Sequence, residues 1–179
     1  MKIQTSNLPI TSLLQTTFKN WDYVDSFQGE FSDVENKIHV IDAAKAFFSS
    51  GPKWVGKLFD LRNKIVSVFG LKTAGDQKDR KSQLENFKWQ IGEQLGLFKV
   101  YDANDHEIVM GEDDKHLNFR VSMFLNEKPS DPTKKQLTIS TVVQFNNWFG
   151  KLYFLPVRPF HKIIVPVMLR GIIKQLEQK

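Results

Sequence analysis

Cysteine is absent from the 179 residues, which excludes disulfides, zinc–thiolate sites and thiol nucleophiles. Long apolar runs are missing too. The longest wholly apolar stretch, Ile163–Leu169, falls far short of the roughly twenty residues that cross a bilayer. The first twenty residues hold no continuous apolar core of signal-peptide length and are peppered with Thr, Ser and Gln, so a soluble, cytoplasmic chain without membrane insertion is expected. No Gly-rich phosphate loop, G-x-S-x-G elbow or H-E-x-x-H helix occurs, which leaves nucleotide-binding, hydrolase and metalloprotease readings unsupported. Nucleic-acid-binding motifs are absent and the basic residues are scattered, so no nucleic-acid partner is expected. Neither a metal nor a cofactor is expected.

What the chain does hold is aromatic bulk. Fifteen Phe and four Trp accompany an ordinary apolar share of 41%, enough either to fill a core or to line a cavity. The net charge of +5 is unevenly placed: residues 51–90 carry nine basic and four acidic groups, and 147–179 carry six and one. Such blocks suit phosphate or an anionic membrane, but scattered charges are better read as a solvated surface.

One domain over 1–179 is expected, with 1–18 as a leading segment and 72–88 as a charged connector. The alternation of Trp21, Tyr23 and Phe27 predicts a first strand. A short helix through Phe48 follows, capped by Asp42. Pro52 suits the first turn of a second helix that runs to about Phe69, with Gly70 as its left-handed stop. The period then changes to two. Strands are predicted at Leu95–Tyr101 and Glu107–Gly111, around a turn at Asp102–Asp105. Two clearer ones carry the rows Leu117, Phe119, Val121, Met123, Leu125 and Leu137, Ile139, Thr141, Val143, Phe145. A long helix, Pro159–Leu176, closes the chain, with a bend expected at Pro166. The fold class read from this order is α+β: an antiparallel meander, curved around a long C-terminal helix, with two shorter helices between the first strand and the meander.

Several stretches together resemble a known family. They are Pro52-x-Trp54, Leu61-Arg62-Asn63, Phe69-Gly70-Leu71, Gly111-Glu112-x-Asp114-x-His116-Leu117-x-Phe119-Arg120-Val121, Asn146-x-x-x-Gly150-x-x-Tyr153 and Pro159-Phe160-His161. The chain resembles the bacterial domain-of-unknown-function family 2867, and more widely the START-like, helix-grip superfamily of birch-allergen-like and polyketide-cyclase-like proteins. The resemblance implies a helix-grip fold and, by superfamily analogy, a pocket for a lipid-like or aromatic small molecule. Relatives of the family also occur behind a dehydrogenase-like nucleotide-binding domain, whose pattern these 179 residues do not contain. Asn118 stands where the pattern usually has an acid, so a proton-transfer role for an acid there does not carry over.

The residues offer candidate sites, each beside a plainer reading. His116, Asn118, Arg120 and Ser122 share one strand face and form a carboxylate- or carbonyl-binding row, Arg120 supplying a donor fork. Plain alternation, with this row in solvent, is preferred. Glu112-Asp113-Asp114 suits a hard cation less well than an acidic turn. Tyr153 and His161 suit hydrogen bonding at a pocket mouth, although a structural role is the commoner one for such a histidine. Arg62 with Asp22 or Asp25 suits a structural ion pair. Trp54, Trp148 and Phe149 line a pocket or anchor helix starts, and Phe119 and Phe145 extend the apolar rows.

The first expectation for function is therefore binding of a small hydrophobic or lipid-like molecule between the sheet and the C-terminal helix. His116, Arg120, Tyr153, His161, Trp54, Phe119, Phe145 and Trp148 are its candidate ligand-binding residues. The second is a cyclase- or dehydratase-type enzyme acting on an aromatic or polyketide-like substrate, with His116, Tyr153 or His161 moving a proton and Arg120 polarising a carbonyl. The third is a filled-core interaction domain with a separate oxidoreductase as partner.

Overall fold

Period-two alternation becomes a seven-stranded antiparallel sheet in the computed structural model, which describes residues 2–17, 20–52, 54–56, 80–128 and 130–179. The strands are β1 (Ile3–Thr5), β2 (Tyr23–Ser32), β3 (Gln94–Leu95), β4 (Phe98–Ala103), β5 (Glu107–Asp113), β6 (Leu117–Lys128) and β7 (Asp131–Phe145). They are ordered β1-β2-β7-β6-β5-β4-β3, so β3 to β7 form a meander and β2 closes against its last strand. Helices α1 (Leu14–Thr17), α2 (Val40–Ser49), α3 (Arg80–Asn86) and α4 (Trp148–Leu176) complete the described elements. The fold is α+β, an open antiparallel sheet with a long C-terminal helix laid on one face, an arrangement consistent with a helix grip.

The inner face is built from the predicted rows. Val121, Met123 and Leu125 of β6 and Leu137 and Ile139 of β7 share one apolar cluster with Ala43 and Ala46 of α2 and Leu169, Ile172 and Ile173 of α4. Toward the other end of the strands Leu117, Val143 and Tyr23 gather around Phe154 of α4.

Three boundaries differ from the sequence expectation. β2 extends past Phe27 to Ser32 because the inward row continues through Gly29 to Phe31. Gly29 hides the alternation, yet it is what lets α4 approach: a Cβ there would sit 2.6 Å from Ile173 Cδ1. α4 begins at Trp148, eleven residues before Pro159, with Asn147 as its cap accepting the Gly150 N–H at 3.0 Å. Pro156, Pro159 and Pro166 all lie inside it. The carbonyls they deprive of a donor belong to Leu152, Leu155 and Lys162, all exposed, where water can supply the hydrogen bond. Tyr153 and His161 therefore lie within the helix, not before it or in its first turn.

At α2 the cap is His39, and Asp42 sits in the first turn, its carboxylate accepting the His39 N–H at 2.9 Å. Asp42 is thus the N3 member of a capping box and not the cap itself. The helix expected over Pro52–Phe69 is seen at residues 54–56, where Val55 is buried and Trp54 exposed. Residues 57–69 lie outside the described residues, and with them Arg62 and its expected ion pair. Within the 72–88 connector α3 is present, and 72–79 lie outside the description.

The outer face of the sheet overturns the reading of a solvated polar row. His116, just before β6, is buried against Phe149 and Tyr153 of α4, and on the outer face Arg120 and Ser122 are buried as well. The reason is the leading segment: Leu14 clusters with Val109 and Val142, flanked by Leu8, Leu13 and Trp21. Beneath it, the fully buried Glu107 accepts hydrogen bonds from Ser12 Oγ at 2.6 Å, from the Leu13 N–H at 2.7 Å and from Ser122 Oγ. Alternation reports two faces; it does not report that both are covered.

Candidate functional site

The sequence-predicted residues do not converge on one place. His116, Tyr153, Phe119 and Phe145 meet where the first turns of α4 dock on the sheet. The His116 and Tyr153 rings lie 5.0 Å apart at a near-perpendicular angle, and Phe149 lies 6.0 Å from His116. Phe119, Phe145 and Tyr153 pack on the cluster around Phe154. This docking is close. A Cβ on Gly150 would lie 1.9 Å from the His116 carbonyl oxygen, so only glycine lets the helix seat there. Asn146 ties the joint by donating from Nδ2 to Asp114 O at 2.7 Å and to Asn118 Oδ1 at 2.9 Å, and Asn147 donates to Lys115 O at 2.9 Å.

Arg120 lies on the opposite, outer face. Its guanidinium stacks 3.3 Å from the centre of the Tyr101 ring and pairs with Asp113 at 2.9 Å. Tyr101 in turn donates to Asp113 at 3.0 Å. Burial pushes the Tyr101 phenol up against the pull of Arg120, and it stays a donor. Glu112, Asp113 and Asp114, weighed as a cation site or a turn, have separate partners: Gln94 donates to Glu112, Asp113 holds Arg120, and Asp114 accepts the Lys115 N–H.

His161 stands about three turns into α4, its Nδ1 2.8 Å from Asp25 Oδ2, the same oxygen that accepts the Tyr23 hydroxyl at 2.6 Å. Burial, and then the hydrogen bond into Asp25, push Tyr23 well above the ordinary phenol range. This Tyr–Asp–His chain links β2 to α4 in the way the sequence had offered for Arg62. Trp54 and Trp148 are exposed and touch neither cluster's centre.

Concave space lies elsewhere, at the far end of the strands, where one depression is lined by Lys2, Gln28, Phe31 and Glu177 and a larger one by core residues. A groove of about 640 Å³ opens between the start of α2, the β4–β5 turn and the end of β6. Its floor is core: Ile38, Val40, Trp89, Ile108 and Leu125. Three local devices hold it open. The β4–β5 turn is built on Asn104, whose Oδ1 accepts the N–H groups of His106 at 2.9 Å and Glu107 at 2.7 Å, a side chain mimicking a backbone turn. The His106 carbonyl then accepts the Leu125 N–H at 2.8 Å, fixing one wall.

The opposite wall is the loop before α2, gathered on Asp33. Its carboxylate accepts the N–H groups of Lys37 and Ile38, each at 3.0 Å, and pairs with Lys135 Nζ at 2.9 Å. Lys135 also donates to the Ile38 carbonyl at 2.5 Å. Burial alone would raise the Asp33 carboxyl, but the Lys135 and backbone hydrogen bonds outweigh it and hold it below the ordinary range. The third device is Trp89, at φ +62°, wedged between Phe87 at 4.8 Å and Phe48 at 6.0 Å.

Trp89 carries the one polar function of the floor. It is 5% exposed, and its buried indole N–H has no hydrogen-bond partner among the described residues. A buried donor left unmade costs about 1–3 kcal/mol, so such a group is where an acceptor is missing. The exposed His39, Asp105 and His106 form the rim. None of the eight sequence candidates lines this groove. Trp89 was visible in the sequence only as the residue where the period changes, and no spacing signal linked it to Ile38, Ile108 or Leu125.

A family model described as a protein of unknown function (DUF2867) matches residues 17–168. No curated protein and no solved structure matches the chain. The match spans β2 to the middle of α4, and it includes three glycines that admit a close neighbour: Gly29 against Ile173, Gly111 against the Phe119 carbonyl and Gly150 against that of His116. By its extent and by what it covers, the chain belongs to the DUF2867 family of proteins of unknown function.

Proposed function

We propose that this protein binds a small, mostly apolar molecule carrying a hydrogen-bond acceptor, held in the groove between α2 and the end of the sheet. The observation that carries this reading is a groove with an apolar floor and a polar rim, whose floor holds Trp89 with a buried indole N–H that has no partner among the described residues. That donor is closed off from solvent, so an acceptor on the ligand reaches it only by parting the side chains over it; doing so would recover its cost, and the volume falls within the range typical of small-molecule sites. A START-like ancestry belongs to the same reading; the α+β order and the long C-terminal helix support it. Binding beside α2 replaces the expected position beside α4, because Val165, Leu169, Ile172 and Ile173 of α4 share one contact cluster with the sheet. Carriage is preferred to a cyclase or dehydratase reaction because the floor is hydrocarbon apart from Trp89, Lys135 in the lining is committed to Asp33 and the Ile38 carbonyl, and the titratable His39, Asp105 and His106 lie on the exposed rim.

Fluorescence titration with 8-anilinonaphthalene-1-sulfonate, alongside native mass spectrometry of the freshly purified chain, tests the reading. One-to-one binding is expected, abolished by Ala103→Trp at the groove wall and untouched by Leu155→Lys on α4. Trp89→Phe should weaken any acceptor-bearing ligand by roughly five- to tenfold. Absence of both a co-purifying mass and Ala103-sensitive dye binding would sink it.

A further inference from the structure

The first four turns of α4 carry an apolar ridge on the side turned away from the sheet. Trp148, Leu152, Leu155, Pro159 and Ile163 recur at steps of four, three, four and four residues, which is one row along an α-helix. All five are exposed, Trp148 at 76% and Leu155 at 67%. At about 100° per residue this row lies opposite the packed one formed by Gly150, Phe154, Val157 and His161. A single exposed Leu is ordinary; a contiguous exposed row marks a contact surface.

Charge selects the occupant. The exposed Lys151, Arg158 and Lys162 run along one flank of the ridge. The whole of α4 carries five Lys and Arg and no Asp or Glu. A second copy of the chain would set these cations against themselves. Residues 57–79 of the chain are themselves basic, with five Lys and Arg against three Asp, so they do not complement the flank either. An acidic lipid surface complements both parts at once.

We propose that α4 docks this protein on an anionic membrane surface, lying in the plane of the interface. Trp148, Leu152, Leu155 and Ile163 enter the boundary between headgroups and acyl chains, and Lys151, Arg158 and Lys162 meet the headgroups. The helix does not cross the bilayer, because its other side is committed to the sheet: Phe154 packs on Tyr23 at 4.8 Å and His161 holds Asp25 at 2.8 Å. The docking surface is independent of the groove at the opposite end of the strands.

Sedimentation of the full chain with phosphatidylcholine vesicles, with and without phosphatidylserine and across a salt series, is the test. Binding should require phosphatidylserine and fall as salt rises. Replacing Lys151, Arg158 and Lys162 together by Gln should weaken it on the order of 100-fold. Leu152→Ser with Leu155→Ser should weaken it at least about tenfold, with circular dichroism unchanged because both positions are exposed. Brominated lipid should quench the wild-type chain more than Trp148→Phe. The proposal is overturned by no vesicle binding, by equal binding with and without phosphatidylserine, or by binding that both sets of variants leave intact. Retention on immobilised polyglutamate without vesicle binding overturns it in favour of an acidic protein partner.

Discussion

The two ends of the sheet use buried polar groups in opposite ways. At the end where α4 begins, Gly111, Asp114, His116, Asn146 and Gly150 are spent on one another: glycines admit a backbone, and amide side chains close the carbonyls around it. At the other end, Asp33 and Lys135 brace a loop, while Trp89, within an apolar floor, holds a buried donor that has no partner among the described residues. The stretches Gly111–Val121 and Asn146–Tyr153, which carry much of the family resemblance, sit at the first end. The room for a ligand is at the second. A dense motif can therefore mark a joint that the fold cannot do without, and open space can be assembled from residues that form no motif.

The largest effect should come from breaking the brace. Asp33→Asn leaves the Lys135 ammonium buried without its counter-charge and should cost about 3–5 kcal/mol by chemical denaturation; Asp33→Asn combined with Lys135→Met should recover much of it. Because folding holds the Asp33 carboxyl below its ordinary value, its share of stability is present above about pH 4 and is lost as pH falls through the lower folded value. The single variant should lack that part of the acid dependence, and an unchanged acid titration of stability would contradict the assignment.

Next comes the joint. Gly150→Ala would gain about 1 kcal/mol of helix propensity at an open position. Here the added Cβ meets the His116 carbonyl, and a net loss of about 1–3 kcal/mol is expected. A gain in thermal stability would mean that α4 can move off the sheet freely, and the contrast between the ends would lose one side. The smallest effect belongs to Trp89→Phe without ligand. It removes contact area and an unmatched donor together, so stability should shift by no more than about 1 kcal/mol. A much larger loss would make Trp89 an ordinary core residue and close the other side of the contrast.

Much of the frame was legible in the residues. The rows on β6 and β7 are local patterns, and so is the Asn-based turn at 102–105. Each is set by side chains a few residues apart. The start of α4 lies before the expected one because Pro159 suits a first turn; the carbonyls that Pro156 and Pro159 free belong to exposed residues, so the helix runs through both. Arg120 was read as facing solvent because a polar row on a strand normally does. It is instead stacked on Tyr101 under a face that residues from Leu8 to Trp21 also cover. The groove was not legible because Ile38, Trp89, Ile108 and Leu125 come from four separate stretches of chain.

By itself, then, the sequence determined the elements, the face each strand turns inward and the family, because these depend on local period and on matched residues. Tertiary structure alone decided which polar row is buried, where concave space remains and which side of α4 is left bare. Those outcomes depend on what lies across each face, and periodicity carries no information about the covering element.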